Sequence, residues 1–390
     1  MADYRFVPQP TRQWLAAHAL SLDTDAAAAP GLLRQLGDAG LLRAGVPQAQ
    51  GGAGGDARDA VAAIAEVARL SLAAAFVLWG QRCFIDFVLQ GGSAALRAQH
   101  LPGLLAGTQA GATGLSNAMK YLSCIEPLQL RATPWDGAEG GGEGNDAAGW
   151  RVNGRMHWVT NLHADGFLVA AAAQVPGTDA PVILAVDSRE AGVHRSPDLD
   201  LLALRGTHTA AIDLVDARVP ASAVLAVDGP RFLRAARPQF LAMQCGMSIG
   251  LAQAALASAL QHMGDARAVL APRIDAAQAA LQATVAAIDA GLVSGQFVAQ
   301  PVPLFQARLQ LAALVQEAVQ LELQATGGKA YLLDRAPAFG RRWRESAFIP
   351  VITPSLTQLQ AALAQAGVAP VPAAPAPAAA PAAASDGVAA

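Results

Sequence analysis

The most informative stretch of the chain reads Gly149-Trp150-Arg151-Val152-Asn153-Gly154-Arg155-Met156-His157-Trp158-Val159-Thr160-Asn161. Two runs of β-forming residues meet at Asn153-Gly154, a dipeptide that favours a tight hairpin turn because both central residues adopt positive φ. The sequence therefore predicts a β-hairpin. Its second strand would carry Trp158 and Thr160 to its far end, where they can line a pocket. On a regularly alternating strand, His157 would point to the opposite face from Trp158.

Short β-type runs continue on both sides of this stretch. Three of them are rich in Val, Ile, Leu and Ala and are separated by turn residues: 166–173, 181–186 and 210–215. This pattern is typical of a small β-barrel or sandwich. Segment 136–149 is acidic and rich in glycine, and we expect it to be a flexible hairpin extension. Residues 110–228 are accordingly predicted to form a middle β-domain.

The regions before and after the β-domain have the apolar spacing of helices. Residues 1–109 are predicted to form an N-terminal helical domain, with Trp79 in its core or at a subunit contact. Residues 229–367 are predicted to form a C-terminal four-helix bundle, with two apolar stripes along residues 304–323. The tail, 368–390, is rich in Pro and Ala and is expected to be disordered. The predicted fold class is α+β, mostly α.

Composition favours a soluble, cytoplasmic enzyme. The chain is 53% apolar and 15% charged, and its net charge of −3 argues against nucleic-acid binding. The longest uninterrupted apolar runs, 72–79 and 167–173, are far shorter than the roughly 20 residues of a membrane span, so no span is expected. The three cysteines are scattered and lack metal-ligand spacing, so no metal site is predicted.

Several motifs resemble those of the acyl-CoA dehydrogenase superfamily, in the family's order. Segment 36–47 and the glycine cluster at 51–55 resemble the first-domain signature. Residues 158–161 resemble a Trp-x-Thr/Ser-Asn segment that lies against the flavin ring in that family, and 218–220 resemble the exit of its β-domain. The resemblance covers residues from about 30 to 365. It implies the family's architecture of helical domain, β-barrel or sandwich, and helical bundle.

The resemblance also implies a flavin site, with FAD preferred over FMN. Four residues would lie on the ring side of the cofactor: Leu115, Ser116, Trp158 and Thr160. A serine hydroxyl there can donate a hydrogen bond to the ring and stabilise its reduced form. Segment 324–331 looks like the family's Gln-x-x-Gly-Gly-x-Gly-Tyr. The residues implied for the rest of the cofactor are Arg267, Gln324, Gly327, Gly328 and Gln358.

Members of this family complete the cofactor site from two subunits, so the resemblance implies a homo-oligomer, a dimer or tetramer. The family's reaction also needs a general base to remove a proton from the acyl substrate. This chain has Pro354 and Ala236 at the two positions where the base is found. Substitute candidates for a catalytic role are Glu126, His163 and Asp165. Candidates for substrate binding are Lys120 and Arg237.

Three functions remain open on these observations. The first is an FAD-dependent oxidoreductase of lipid metabolism that acts on the CH–CH group of an acyl thioester, such as an acyl-CoA, or of a related compound. The second is a flavin-dependent monooxygenase of the same fold. The third is a flavin-binding or partner subunit that does not catalyse dehydrogenation. The resemblance implies an electron-transfer flavoprotein or a flavin reductase as the electron partner.

Overall fold

The computed structural model describes residues 4–29, 31–135, 148–178 and 180–368. Most of the predicted extension at 136–149 and nearly all of the tail at 368–390 lie outside these residues. The described helices are α1 (Gln9–Thr24), α2 (Leu32–Asp38), α3 (Ala57–Ala68), α4 (Leu72–Gly91), α5 (Ala94–Ala106), α6 (Ser116–Leu122), α7 (Gly229–His262), α8 (Arg267–Ser294), α9 (Val302–Thr326), α10 (Pro337–Phe348) and α11 (Leu356–Gln365). The described strands are β1 (Ala110–Thr113), β2 (Leu130–Trp135), β3 (Gly149–Val159), β4 (Phe167–Gln174), β5 (Val182–Asp187), β6 (Val193–Arg195), β7 (Ala210–Pro220) and β8 (Val224–Ala226).

The described strands form one mixed sheet between two helical regions. Its order is β6-β7-β3-β2-β4-β5-β8, with β1 paired to β4. The β1–β4 and β2–β4 pairs are parallel, and the other pairs are antiparallel. The predicted fold class, α+β with a predominance of helix, is confirmed.

Helix α4 connects the N-terminal helices to the sheet. Its apolar residues are buried on almost every side, and its N-terminus is capped by Ser71, whose hydroxyl accepts a hydrogen bond from Ala74 N. Within α4, the buried Gln81 accepts a hydrogen bond from Gly111 N of β1 at 2.6 Å. The same side chain donates to the carbonyl oxygen of Leu104 in α5. One buried amide therefore holds two helices and a strand together.

The predicted hairpin at Asn153-Gly154 is wrong, because β3 runs through both residues as a single strand. The side chain of Asn153 exchanges two hydrogen bonds of 2.9 Å with Asp216 of β7, which stabilises a bulge in that neighbouring strand. Gly154 has φ 131°, which differs from the conformation of a tight turn. A side chain there would clash with the carbonyl oxygen of Gln129, so the glycine permits the close approach of the chain that leads into β2.

Helices α7 and α9 form the centre of the C-terminal bundle. Both predicted apolar stripes of α9 are buried within this single chain, by α7 and its neighbours. Helix α8 differs, because half of its residues are exposed and only a few are buried. Of these two helices, α8 rather than α9 therefore exposes large apolar side chains, namely Val269 and Val293.

By length and composition, three described helices could cross a membrane: Leu72–Gly91, Gly229–His262 and Gly264–Ser294. The lengths of uninterrupted apolar runs did not predict these helices as possible spans, because polar residues interrupt their apolar stretches. Of the apolar windows of the first two helices, 94% and 83% are buried inside the protein. Only 22% of the third window is buried, which again singles out α8 as an apolar helix at the surface.

Candidate functional site

A cavity of about 1,020 Å³ lies where the sheet faces α4 and the C-terminal end of α10. Four segments form most of its wall: the start of α6, the end of β3, the loop at 201–204 and the loop between α10 and α11. The described wall includes Phe76, Trp79, Ser116, Asn117, Lys120, Glu126, His157, Trp158, Thr160, Leu204, Thr209, Arg344, Phe348, Thr353 and Gln358. The cavity is as large as the pockets that hold sizeable organic ligands.

A bulge at the end of β3 lies at the edge of the cavity. The pairing with β7 shifts between Met156 and Val159, so that His157 and Trp158 together face one residue of the partner strand. His157 and Trp158 are both among the residues that line the cavity, and the bulge interrupts the regular alternation on which the prediction of opposite faces depends. Trp158 is 69% exposed, so this large aromatic surface is free to contact a ligand.

Thr160 follows β3 and contributes a buried hydroxyl to the same wall. Its Oγ1 lies 2.9 Å from Thr209 Oγ1, which in turn lies 2.8 Å from Thr207 Oγ1. Thr207 donates a hydrogen bond to the carbonyl oxygen of Leu204 at 2.8 Å. Thr160 belongs to a recognisable motif, whereas Thr207 and Thr209 were not predicted, because they lie almost 50 residues further along the chain.

The start of α6 forms a polar corner of the cavity. Ser116 is the first residue of this helix, while Leu115, the other residue predicted there, is fully buried outside the cavity wall. Glu126 accepts hydrogen bonds from Asn117 at 2.7 Å and from Lys120 at 3.0 Å. Burial raises the pKa of Glu126, but these two hydrogen bonds outweigh it, so the pKa lies below its ordinary value.

An aromatic cluster forms the apolar side of the cavity. Phe76 and Trp79 lie one helical turn apart on α4 with their rings stacked, and Phe348 of α10 meets Phe76 edge to face. Trp79 Nε1 donates to the carbonyl oxygen of Phe240, which fixes the indole. Trp79 was expected in the core, and its second role as part of the cavity wall was not predicted.

A buried arginine supports the loop between α10 and α11. Arg308 of α9 is fully buried, and its guanidinium donates to the Ile349 carbonyl oxygen at 2.6 Å and to Gln244 at 2.9 Å. Gln244 in turn donates to the Thr353 carbonyl oxygen at 3.0 Å. Burial lowers the pKa of Arg308. This support was not predicted, although an arginine within an apolar stripe is a sequence signal for it.

An ion pair holds another part of the wall. Arg344 of α10 pairs with the buried Asp23 of α1 at 2.6 Å. The same carboxylate accepts a hydrogen bond from Leu204 N at 3.1 Å. Three distant segments thus meet at the edge of the cavity.

The two family positions of the base carry no proton acceptor. Pro354 is buried in the loop between α10 and α11, and Ala236 is buried in α7. Among the described residues that line the cavity, Glu126 is the single carboxylate, and its charge is already paired with Lys120. A general base for proton abstraction must reach its proton, and no free carboxylate of the described wall does so.

His163 and Asp165 lie along a different cavity, of about 420 Å³, which borders β4. His163 contacts Asn161 Oδ1 through Nε2 at 3.2 Å, and its ring packs against that of His208. Burial and His208 lower the pKa of His163 to about 4. The structure therefore separates these two residues from the wall that carries Trp158.

The residues that the resemblance implies for the rest of the cofactor lie away from the main cavity, except Gln358. Arg267, Gln324, Gly327 and Gly328 are exposed in the helical bundle. Gln324 accepts a hydrogen bond from Arg273, which belongs to the same helix as Arg267. Two other residues have local roles. Gln358 forms a capping box with Ser355 at the start of α11, and the guanidinium of Arg237 lies over the ring of Phe305.

The wall of the main cavity fits the ring system of a flavin. It combines an exposed indole, the hydroxyls of Ser116 and Thr160, and a volume larger than the ring system requires. The exposed residues Arg267, Gln324, Gly327 and Gly328 fit the remainder of an FAD only if they belong to a second, shared part of the site.

Comparisons with known proteins agree with this architecture. Residues 8–108 match the family model "Acyl-CoA dehydrogenase, N-terminal domain". The chain is 26% identical over 268 residues to the probable acyl-CoA dehydrogenase YngJ of Bacillus subtilis, a match that covers 64% of each chain. The matched segment thus spans just under two thirds of that relative.

Two solved structures show the same fold. The first is FkbI, described as serving the biosynthesis of the methoxymalonyl extender unit of a polyketide, with a TM-score of 0.74 at 22% identity over 92% of this chain and 98% of that chain. The second is an acyl-CoA dehydrogenase from Bacillus anthracis complexed with FAD, with a TM-score of 0.71 at 19% identity over 90% of this chain and 62% of that chain.

Proposed function

Since this chain belongs to the acyl-CoA dehydrogenase superfamily, we propose that it is an FAD-dependent oxidoreductase that acts on the CH–CH group of an acyl thioester or a related compound. The observation that carries the proposal is the common wall formed by Ser116, Trp158 and Thr160. Segments more than 40 residues apart in the sequence meet there, in a cavity large enough for a flavin ring and an acyl group together. The B. anthracis relative supports FAD as the cofactor.

Three parts of the wall would bind different parts of the flavin and the substrate. Trp158 offers a flat face for the flavin ring, while the hydroxyls of Ser116 and Thr160 orient the edge of the ring. The aromatic cluster of Phe76, Trp79 and Phe348 excludes water and receives the apolar part of the substrate. The flavin, when bound, supplies the chemistry of hydride acceptance.

Electrostatics at the polar corner favour a substrate-binding role for Lys120. Its ammonium group lies in the cavity wall beside Glu126, and the pair leaves little net charge at this corner. A thioester or another neutral carbonyl suits such a corner better than a free carboxylate does. An electron-transfer flavoprotein or a flavin reductase is the proposed electron partner.

The exposed helix α8 supports a homo-oligomer. Val269 and Val293 of this helix are 70% and 65% exposed, and the helix is apolar enough to be covered by a second copy. The exposed residues Arg267, Gly327 and Gly328 would then contribute to a cofactor site shared between subunits. The proposed assembly is a dimer or tetramer.

A flavin-dependent monooxygenase of the same fold is the second candidate. It is favoured by one observation: the described wall has no free carboxylate to remove a substrate proton, since Glu126 is paired with Lys120. The fold shared with FkbI, a protein of polyketide biosynthesis, makes substrates other than fatty acyl-CoA reasonable to test.

One experiment separates the two candidates. The flavin-loaded protein is titrated anaerobically with a saturated acyl-CoA while its absorption spectrum is recorded. Bleaching of the flavin without oxygen supports the dehydrogenase. If the flavin is reduced only by an external reductase, and substrate then stimulates oxygen consumption, the monooxygenase is supported and the dehydrogenase proposal fails.

A further inference from the structure

The three linked threonine hydroxyls have only one arrangement that satisfies all their contacts; Thr160 and Thr209 line the cavity, and Thr207 lies behind them. Each hydroxyl carries one proton, and a carbonyl oxygen carries none. The contacts Thr160–Thr209, Thr209–Thr207 and Thr207–Leu204 are all between 2.8 and 2.9 Å, so each needs a proton between its two oxygens. Three contacts therefore use all three protons.

The carbonyl at one end fixes the direction of the whole chain. Because the Leu204 carbonyl can only accept, the proton of Thr207 points to it. The contact between Thr207 and Thr209 then requires the proton of Thr209, and the next contact requires the proton of Thr160. Thr160 is left with lone pairs alone to present to the cavity.

The opposite arrangement leaves a repulsive contact in the protein interior. If Thr160 turned its proton into the cavity, the other two hydroxyls would have to reverse as well. The oxygen of Thr207 would then face the Leu204 carbonyl oxygen at 2.8 Å without a hydrogen atom between them. Thr207 is fully buried, so water cannot repair this loss.

We infer, on the basis of the proposed flavin site, that Thr160 is a fixed hydrogen-bond acceptor that favours the reduced cofactor over the oxidised one. Reduction of a flavin adds protons to ring nitrogens that were acceptors before, so the reduced ring offers N–H donors where the oxidised ring offers lone pairs. A hydroxyl at the ring edge that can only accept attracts the N–H groups of the reduced ring and repels the lone pairs of the oxidised ring. Thr207 is a positioning residue, since it lies outside the described cavity wall, whereas Thr209 also lines the cavity and fixes the direction of the Thr160 proton.

The variant Thr209→Val removes the contact that fixes the direction of the Thr160 proton. Valine has the shape of threonine but cannot accept a hydrogen bond from Thr160. The Thr160 hydroxyl therefore becomes free to donate into the cavity, while Thr207 keeps its hydrogen bond to the Leu204 carbonyl oxygen. The matched control is Thr133→Val, on an exposed position of β2 in the same sheet. The measured quantity is the ratio of the dissociation constants of oxidised and reduced FAD, together with the two-electron reduction potential of the bound flavin.

We expect Thr209→Val to reduce the preference for reduced FAD about tenfold, the equivalent of one exchanged hydrogen bond and of a fall of about 30 mV in the reduction potential. The control should retain the wild-type ratio. An unchanged or higher potential in Thr209→Val overturns the inference while leaving flavin binding, and thus the proposed function, intact.

A neutron structure of the purified protein tests the direction of the chain without any cofactor. The deuteron of Thr160 should point to Thr209, and that of Thr207 to the Leu204 carbonyl. A Thr160 deuteron directed into the cavity overturns the inference. If the wild-type protein takes up no flavin, the proposed function fails on that ground, and the deuteron positions alone decide whether Thr160 is an acceptor.

Discussion

The guanidinium of Arg308 donates to the Ile349 carbonyl oxygen at 2.6 Å, and this contact links the centre of the helical bundle to the wall of the cavity. Arg308 is fully buried, and no described carboxylate lies within ion-pair distance of it. Its charge is stabilised by Gln244 and by the carbonyl group instead. Burial of this charge is energetically unfavourable. It occurs where the guanidinium can bind the Ile349 carbonyl oxygen, at the start of the loop between α10 and α11.

Replacement of Arg308 tests the importance of this link. Arg308→Met leaves the buried acceptors of Gln244 and Ile349 without a donor, and we expect the free energy of unfolding to fall by about 1–3 kcal/mol. Urea denaturation measures it. The control is Arg43→Met, which removes a hydrogen bond to the Gly51 carbonyl at the surface. Equal losses for both variants would contradict the structural role of Arg308.

His163 makes the stability depend on pH. Its pKa of about 4 in the folded protein lies below the ordinary value of 6.5, so the unfolded chain binds the extra proton between these two values. The free energy of unfolding should therefore rise with pH from about 4 to about 6.5, and His163 should account for about 3 kcal/mol of that rise. His163→Gln should flatten the curve. The exposed His262→Gln should leave it unchanged, and a curve equally steep in His163→Gln would refute the assignment.

The proposed oligomer is tested through α8. The wild-type protein should sediment as at least a dimer at micromolar concentration, because α8 leaves an apolar surface exposed. Val269→Glu places a charge on that surface and should shift the protein towards the monomer. Val215→Glu, at an exposed position of β7, is the control. A wild-type monomer with flavin bound would eliminate the shared site.

The missing base predicts slow dehydrogenation of plain substrates. With Pro354 and Ala236 at the family positions, turnover of a straight-chain acyl-CoA should be lower by about 10²–10⁴-fold than with a positioned base. Fast turnover that Glu126→Gln abolishes and Glu317→Gln does not would show that Glu126 has taken over the role. Fast turnover in all of these proteins, and also after changes at Asp165 and His163, would mean that the base lies elsewhere.

The sequence predicted the order of the helical and β regions well, because local patterns determine them. Apolar spacing and β-branched runs identify helices and strands within short windows. The hairpin at Asn153-Gly154 failed because the same dipeptide also suits a strand with a bulged neighbour, and only Asp216, 63 residues away, distinguishes the two.

The cavity could be predicted only in part, for a related reason. Trp158, Thr160 and Ser116 belong to recognisable motifs. The contacts that orient them come from other segments: Thr207 and Thr209 behind Thr160, and α4 and α10 for the aromatic cluster. No single stretch of sequence contains those pairs.

Flavin binding by the Trp158–Thr160 wall is tested most directly by absorption spectroscopy of the purified protein. The wild type should carry a flavin spectrum or acquire one when FAD is added. Trp158→Ala should weaken FAD binding by about an order of magnitude, whereas Trp343→Ala, a half-exposed tryptophan outside the described cavity wall, should not. Wild-type affinity and an unaltered flavin spectrum in both Trp158→Ala and Thr160→Ala would contradict the proposed site.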